Sequence, residues 1–212
     1  MASIGCYCSL VVVALALASA PMAVMAGDPD ILTDFVPPTL LGVPLNITGD
    51  FFTFTGFRGY TMPVAAFAAA KASVAEFPAL NGQSVSYARL TFPPGTANPP
   101  HTHPRASELL LVIDGALSVG FVDTAGKLYV QDLTVGDMFV FPKGLVHYQS
   151  NQGSSPAVAL SAFGSAAPGI VSVPVTVFGT GVDDTVLAKS FKTDVPTVQK
   201  LKAALTPPSK KP

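Results

Sequence analysis

Charged side chains are scarce in this sequence, and the few that occur are not grouped. Asp, Glu, Lys and Arg make up 12% of the 212 residues, and the formal net charge is −1. Soluble domains usually carry about 25% charged residues. Nucleic-acid-binding surfaces and polybasic membrane patches need clustered Lys or Arg, so the sequence argues against both kinds of partner. A surface poor in charge also favours assembly, because its apolar area can be buried against another copy.

A hydrophobic run long enough to span a bilayer is also missing. Leu10 to Ala20 is almost entirely apolar, but crossing a membrane takes about 20 such residues. Val24-Met25-Ala26 then supplies the small residues that a signal peptidase reads, although no Lys or Arg precedes the run. We therefore expect residues 1–26 to be a cleaved secretory signal. Ala20 is a second candidate cut site, and a buried hydrophobic helix is the alternative interpretation.

Cysteine is limited to Cys6 and Cys8, and both lie inside the expected signal. The mature chain, residues 27–212, would then have neither a thiol nor a disulfide, so packing, metal binding and assembly must stabilise it. It shows no internal repeat and no linker. We expect it to form one domain, because all-β barrels often reach this length without dividing.

The mature chain begins with a proline-rich segment from Gly27 to Asn46. Such a composition predicts an extended arm rather than a core element. At its end, Asn46-Ile47-Thr48 is an acceptor sequence for N-glycosylation. In a secreted chain, Asn46 is therefore the expected glycosylation site.

From Phe51 onward, short runs rich in Val, Leu, Phe and Tyr are separated by Gly, Pro and Asn. Runs of this length and spacing predict an antiparallel sandwich or barrel. The clearest runs are Ser84–Phe92, Glu108–Ile113, Leu117–Val122, Lys127–Leu133, Met138–Phe141, Val146–Ser150 and Ala157–Phe163. Asp114-Gly115 lies between two of them and predicts a tight hairpin, because this pair suits the positive φ angles of a type I′ turn.

Helical signals occur only near the C-terminus. Asp183 to Phe191 predicts two helical turns, and Asp194 is the expected N-cap of a second helix. In that helix, Val198, Leu201 and Leu205 recur at helical spacing and form one apolar stripe. We expect the stripe to be a packing face.

All three histidines of the chain lie between positions 101 and 147. His101 and His103 are two residues apart, and strand side chains at that spacing point to the same face. Glu108 would lie on the opposite face of a continuous strand, but Pro104 allows a bend that turns it inward on the next strand. His147 follows from a third strand. We expect the three imidazoles and Glu108 to bind one metal ion; the alternative is that the histidines are only structural polar groups.

On the strand of Glu108, Leu110 and Val112 are expected to share its inward face.

The type of metal follows in part from the type of ligand. Because no thiolate is available, iron–sulfur, copper(I) and structural zinc sites are disfavoured. Octahedral Mn(II) or Fe(II) with two open positions fits best, and zinc is a weaker alternative. Affinity alone does not select manganese, since Cu, Ni and Co bind such ligands more tightly.

Two spaced motifs carry a family resemblance. They read Gly95-x5-His101-x-His103-x4-Glu108-x6-Gly115 and Gly136-x5-Pro142-x-Gly144-x2-His147-x3-Asn151. Together they resemble the two signature boxes of the cupin superfamily. The segment from Asn98 to Ala106 is similar to the plant germins and germin-like proteins, and so are Pro168 to Val171 and Val177 to Gly179. The resemblance covers essentially the whole mature chain.

This resemblance implies a cupin jelly-roll β-barrel, an all-β fold with a short C-terminal helical segment. It implies that Mn(II) is held by His101, His103, Glu108 and His147. It also implies dimers assembled into a hexamer, a trimer of dimers, through arms and C-terminal helices, and residence in the plant apoplast. Asn151 is expected to close a turn rather than act in catalysis.

The sequence departs from the germin pattern in two places. Germins usually keep a cysteine pair in the mature arm; here it is absent, so apolar contacts of Ile31, Phe35 and Leu40 are expected to hold the arm. Oxalate-oxidising germins place asparagines toward the substrate from the strand before the first box. The corresponding segment, 84–90, has no asparagine.

Two classes of function fit the expected site. The first is a manganese-dependent redox enzyme with a role in plant defence. In it, superoxide dismutation is favoured over oxalate oxidation because superoxide needs little orientation by the pocket. The second is a non-catalytic apoplastic protein that binds a small molecule or acts as a receptor-like or cell-wall component. This choice rests on analogy at the level of the family.

Overall fold

The computed structural model describes residues 27–40, 43–44, 46–59, 61 and 65–205, without side-chain detail at 39–40 and 43–44. The expected secretory signal, residues 1–26, lies outside these residues together with both cysteines. Within the described ranges, no helix is both long and apolar enough to cross a lipid bilayer.

The described strands make two five-stranded antiparallel sheets and one small hairpin. In chain order the strands are β1 (Thr39–Leu40), β2 (Val43–Pro44), β3 (Ala68–Ala72), β4 (Ser86–Phe92), β5 (Ala97–Thr102), β6 (Glu108–Asp114), β7 (Ala116–Val122), β8 (Leu128–Thr134), β9 (Met138–Phe141), β10 (His147–Ser150), β11 (Ala157–Phe163) and β12 (Val171–Ser172). The first sheet has the order β3-β4-β11-β6-β9 and the second β12-β5-β10-β7-β8. The expected all-β fold is confirmed, and β9 and β11 match their predicted bounds to the residue.

The two sheets enclose one apolar core built from their inward-facing residues. Leu110 and Val112 of β6 are buried at 0% and 1% exposure, whereas Leu109, between Glu108 and Leu110, is 40% exposed. From the opposite sheet, Leu117 and Val119 of β7 join the same cluster. This alternation confirms the predicted inward face of β6. Glu108, the first residue of that strand, lies on the same face as Leu110 and Val112 and therefore points inward.

The predicted hairpin at Asp114-Gly115 is wrong. Strand β6 before it pairs with β11 and β9, while β7 after it pairs with β10 and β8, so the turn connects the two sheets. Gly115 does adopt positive φ (72°). A Cβ atom at this position would lie 2.5 Å from the carbonyl oxygen of Pro156. The glycine therefore serves a close crossing between sheets rather than a two-residue hairpin.

Five strands were not among the predicted runs. They are the two-residue strands β1, β2 and β12, together with β3 and β5. Strand β3 is an alanine-rich edge strand with the sequence AAAKA, and β5 contains two consecutive prolines. Neither composition is typical of a strand. Pairing with a neighbouring strand, rather than intrinsic propensity, defines both.

Three helices follow the barrel: α1 (Val173–Phe178), α2 (Asp184–Ser190) and α3 (Val195–Leu205). Helix α1 was not predicted. The predicted N-cap of α3 is confirmed, because Asp194 accepts a hydrogen bond of 2.8 Å from Thr197 N. The two turns predicted from Asp183 to Phe191 form α2, which Asp183 caps by accepting hydrogen bonds from Thr185 N and Val186 N.

The apolar stripe of α3 is only partly a packing face. Val198 is fully buried against Leu187 and Ala188 of α2. Leu201, one turn later, is 39% exposed. The helical pair therefore has a small core of its own and leaves apolar surface facing outward.

The N-terminal arm is held to the barrel without any disulfide in its described part. The ring of Phe35 packs edge-on against Phe52 at 5.0 Å and lies 6.3 Å from Phe51. Ile31 lies so close to Gly82 that a Cβ atom there would meet its Cγ2 at 2.2 Å. The expected contacts of Ile31 and Phe35 are thus confirmed, while the side chain of Leu40 lies outside the described residues.

A polar contact fixes the start of the arm as well. The Asp28 carboxylate accepts hydrogen bonds from the Ser165 hydroxyl at 2.5 Å and from Ala166 N at 2.6 Å. Its own backbone N donates to the Ser84 hydroxyl at 3.1 Å. These bonds attach the arm to the segment that follows β11 and to Ser84, just before β4.

Candidate metal centre

The three histidines come together at the inner face of the second sheet. His101 on β5 and His147 on β10 are direct partners in the antiparallel ladder, and their ring centroids are 4.2 Å apart. His103 lies just after the end of β5, with its ring 5.1 Å from that of His101 and 5.3 Å from that of His147. Neighbouring strands therefore bring together residues that are far apart in sequence.

Glu108 meets the histidines from the opposite sheet. As the first residue of β6 it is 2% exposed, and its Oε2 lies 3.1 Å from Nε2 of His103 and 3.1 Å from Nε2 of His147. One ligand atom from each of His101, His103, Glu108 and His147 lies within 4.8 Å of all the others. The structure thus brings all four predicted residues into a single buried cluster that could hold a metal ion.

The hydrogen bonds of the imidazoles orient their free nitrogens toward the centre. Nδ1 of His101 lies 2.8 Å from the Pro99 carbonyl, and Nδ1 of His147 lies 2.8 Å from the Leu145 carbonyl. A carbonyl can only accept, so each Nδ1 must carry the proton. In a neutral ring, Nε2 is then a bare lone pair, which is the form that binds metals.

His103 follows the same pattern through the segment after β11. Its Nδ1 lies 2.5 Å from the Gly169 carbonyl. A bare Nε2 cannot bond directly to a carboxylate oxygen, because both atoms are acceptors. The 3.1 Å approach of His103 Nε2 to Glu108 Oε2 therefore calls for a positive centre between them, either a ring proton or a metal ion. The donor set fits a divalent metal.

The charges of the site favour metal binding at neutral pH. Burial, together with the nearby His147, lowers the pKa of His101 to about 4, so its imidazole is neutral. Burial raises the pKa of Glu108, but hydrogen bonds and charge interactions with His103 and His147 outweigh it and hold that pKa at about 2. The cluster thus combines a neutral imidazole with an ionised carboxylate, as a metal site requires.

Three polar residues beside the ligands were missed by the sequence analysis. The Ser161 hydroxyl donates to Glu108 Oε1 at 2.5 Å, and Gln149 Nε2 donates to the same oxygen at 3.1 Å. Asn98 Nδ2 in turn donates to Gln149 Oε1 at 2.8 Å and lies 3.4 Å from Nε2 of His101. All three are buried. They orient the carboxylate, as outer partners of metal ligands commonly do.

Only one of these three residues had a signal in the sequence. Gln149 follows His147 by two residues on β10, so strand parity alone places both on one face. Asn98 is three residues before His101, and a register shift in the β5–β10 pairing turns both inward. Ser161 lies within the apolar run of β11. The sequence alone reveals neither the irregularity in the β5–β10 pairing nor the role of a single serine in an apolar run.

A cavity of about 260 Å³ opens onto the cluster. It is bounded by β3 and β4 on one side and by the segment that follows β11 on the other. Its lining includes Phe67, Lys71, Ala88, Leu90, Arg105 and Phe163.

Comparison with known proteins identifies the family. The cupin family model matches residues 64–199. Germin-like protein 9-3 of rice (Oryza sativa subsp. japonica) is 70% identical over 209 residues, which is 95% of this chain and 97% of that protein. The chain belongs to the germin-like proteins of the cupin family. Germin-like protein 9-1 of rice is 56% identical over 191 residues, or 88% of this chain and 77% of that protein.

A solved structure similar to this germin-like chain is that of a recombinant oxalate oxidase in complex with glycolate. It is 36% identical, with a TM-score of 0.76, and the match covers 84% of this chain and 98% of the oxalate oxidase. The similarity supports the fold, and the buried cluster of three histidines and Glu108 could hold a metal ion.

Two other predicted residues lie apart from the cluster. Asn46 is exposed in the arm, just before a 3₁₀ turn at Gly49–Phe52. Asn151 is buried, and its side-chain amide donates to the carbonyls of Phe92 and Ser155 at 2.9 and 2.8 Å. The interpretation of Asn151 as a turn-closing residue is therefore confirmed.

Proposed function

We propose that this chain is a secreted, manganese-binding germin-like protein of the plant apoplast that acts on superoxide and serves in defence. The observation that carries the proposal is the convergence of three imidazoles and the Glu108 carboxylate within 4.8 Å. Carbonyl acceptors on each Nδ1 leave the Nε2 atoms available as ligands. In this proposal, His101, His103, Glu108 and His147 are the metal ligands.

Manganese is the preferred occupant because of the donor types. Nitrogen and carboxylate donors without a thiolate suit Mn(II), with Fe or Zn as weaker candidates. Germins, which the sequence resembles, imply the same metal. One-electron redox chemistry would be supplied by the bound ion. The chain contributes the geometry: the carbonyls fix the rings, and Ser161 and Gln149 fix the carboxylate.

Superoxide is favoured over oxalate because its binding needs fewer orienting side chains around the metal. Strand β4, which lies beside the site, reads SYARLTF and carries no asparagine. Asn98 does offer an amide next to His101, so one polar group is present for a larger substrate. We propose superoxide dismutation as the activity and treat oxalate oxidation as the comparison reaction.

The second candidate function is non-catalytic binding, in a receptor-like or cell-wall role. The cavity of about 260 Å³ beside the metal ligands favours it, because superoxide needs no such volume. In this alternative the metal would anchor a ligand rather than turn over a substrate.

We also propose a homo-oligomer, a hexamer built as a trimer of dimers. Support comes from apolar side chains that stay exposed on the helices, with Val186 and Phe191 each 54% exposed and Leu201 39% exposed. Helices with such outward surfaces commonly pack against another subunit. Light scattering of the purified protein tests this, and a stable monomer would contradict it.

The activity is tested by assaying superoxide and oxalate consumption on one manganese-loaded sample. We expect superoxide loss that disappears after chelation and in His101→Ala, and that persists in the control Thr91→Val. Thr91 is also buried, but its hydroxyl bonds the Ala68 carbonyl, away from the cluster. A manganese-loaded protein that is inactive in both assays would favour the binding function instead.

A further inference from the structure

The cavity beside the metal ligands is larger than a very small substrate requires. Its volume is about 260 Å³, and liquid water occupies about 30 Å³ per molecule. The space therefore holds several water molecules. A diatomic anion or a two-carbon acid at the metal would leave most of this space filled with water.

The wall next to the site is mainly apolar. Ala88 and Leu90 of β4 face into it and are 6% and 4% exposed. Phe67 and Phe163 extend the same wall, and the Phe163 ring lies 4.7 Å from the ring of His103. Ordering water along such a surface is unfavourable, and an apolar ligand body that displaces it gains free energy.

Positive charge is placed at the open side of the cavity. Lys71 pairs with Ala88 in the β3–β4 ladder, so its side chain starts from the same inward face. Arg105 lines the opposite side. Among the described lining residues, Glu108 is the one acid, and Glu76 lies near enough to Lys71 for their charges to interact. With a divalent ion bound, the cavity carries a net positive charge and favours an anion.

Hydrogen bonds hold the rim of the cavity on the side opposite β3. Arg105 N donates to the Pro168 carbonyl at 3.2 Å, and Arg105 Nε donates to the Ala167 carbonyl at 2.5 Å. His103 Nδ1 bonds the Gly169 carbonyl next along the chain. Three successive carbonyls are thus held by residues of the metal box, so the cavity is formed before a ligand arrives.

We propose that this cavity binds an organic carboxylate with an apolar body, such as a medium-chain aliphatic or single-ring acid. The carboxylate lies toward the metal ligands, and the hydrocarbon lies along Phe67, Ala88, Leu90 and Phe163. The inference rests on the proposed metal binding for its anchoring end. It goes beyond the proposed function because superoxide uses neither the apolar wall nor the volume.

Calorimetric titration with hexanoate, acetate and the neutral hexanamide tests the ligand class. We expect hexanoate to bind at least about tenfold more tightly than acetate, because its additional methylenes are buried against the apolar wall. Hexanamide should bind at least about tenfold more weakly than hexanoate, because it lacks the charge that the cations attract. Oxalate is included as the short dicarboxylate and should also bind more weakly than hexanoate.

Filling the cavity locates the binding. Ala88→Leu places a larger side chain against the apolar wall, and we expect about tenfold weaker hexanoate binding with unchanged manganese content. Ala162→Leu is the matched control on the outer face of the same sheet, since Ala162 pairs with the exposed Leu109 and Tyr87. It should leave hexanoate binding unchanged. If Ala88→Leu does not fold, Ala88→Val makes the same test with a smaller change.

Metal analysis on the same samples separates this inference from the proposed function. Equal affinity for hexanoate and acetate in a manganese-loaded protein overturns the inference and leaves the metal site intact. A preference for hexanoate in a protein that binds no metal supports the cavity and overturns the proposed manganese function. Equal affinities in a protein that binds no metal overturn both.

Discussion

The hydroxyl of Ser161 donates a hydrogen bond of 2.5 Å to Oε1 of Glu108, and neither side chain is exposed by more than 2%. This bond, with a second from Gln149, occupies one carboxylate oxygen and leaves Oε2 facing the histidines. We therefore expect Glu108 to bind metal through Oε2 alone. The serine belongs to β11, so the first sheet supplies both the ligand and the group that orients it.

Replacing Ser161 by alanine should weaken metal binding. Loss of an outer hydrogen-bond partner typically costs about 10–100-fold in metal affinity, and we expect roughly tenfold here because Gln149 still holds the same oxygen. Competition with a chelator measures the affinity, and the infrared carboxylate bands report whether Glu108 rotates. Ser161→Thr, which keeps a hydroxyl, should retain most of the affinity, and Thr91→Val should retain all of it. Unchanged affinity in Ser161→Ala would show that the bond does not orient the ligand.

Metal removal should lower the thermal stability. A ligand present at 1,000 times its Kd stabilises a fold by about 4 kcal/mol. For a chain of this size, each kcal/mol shifts Tm by roughly 2–4 °C. We therefore expect chelation to lower Tm by roughly 8–16 °C in calorimetry. His101→Ala should show a low Tm with and without chelator, and a wild-type Tm that does not respond to chelation would argue against a metal bound in the folded state.

The crossing between the sheets at Gly115 gives a prediction about the fold itself. Gly115 and Gly126 both have positive φ angles, 72° and 80°. An alanine at either position would therefore be strained. At Gly126 no atom lies within 4 Å of a Cβ, so only the backbone conformation opposes the alanine. We expect Gly126→Ala to lower the free energy of unfolding by about 1–2 kcal/mol. At Gly115 the Pro156 carbonyl would lie 2.5 Å away, which should cost about 1–3 kcal/mol more. Equal denaturation midpoints for the two variants would rule out a tight crossing.

Glycosylation at Asn46 can be tested by mass. Because Asn46 is exposed and begins an Asn-Ile-Thr acceptor, we expect a protein secreted from plant cells to carry a glycan there. Glycosidase treatment should reduce the mass of the wild type and leave Asn46→Gln unchanged. A wild type whose mass equals that of the bare mature chain would exclude this site.

The sequence predicted the four residues of the cluster better than it predicted their surroundings. His101 and His103 were identifiable from their spacing along a strand, and the resemblance to the two cupin boxes supplied Glu108 and His147. Asn98 was not, because a register shift in the β5–β10 pairing breaks the alternation on which parity arguments depend. The missing asparagine of β4 was correctly noted, yet the structure places this other asparagine beside His101.

The errors in the fold have a common cause in long-range pairing. Asp114-Gly115 has the local chemistry of a hairpin, but β11 and β10 compete for the strands on either side and separate them into two sheets. Strand β3 has weak strand propensity and exists because it pairs along β4. Neither fact is contained in the local sequence. The cap of α3 was predictable because Asp194 bonds within the first turn of its own helix.

The central claim is that His101, His103, Glu108 and His147 hold one manganese ion. Elemental analysis of the purified protein, with His101→Ala purified in parallel, tests it most directly. We predict about one manganese per wild-type chain, as one four-ligand cluster implies, and only background manganese in a folded His101→Ala. A wild-type protein that carries no manganese, or a variant that keeps the full amount, would contradict the account.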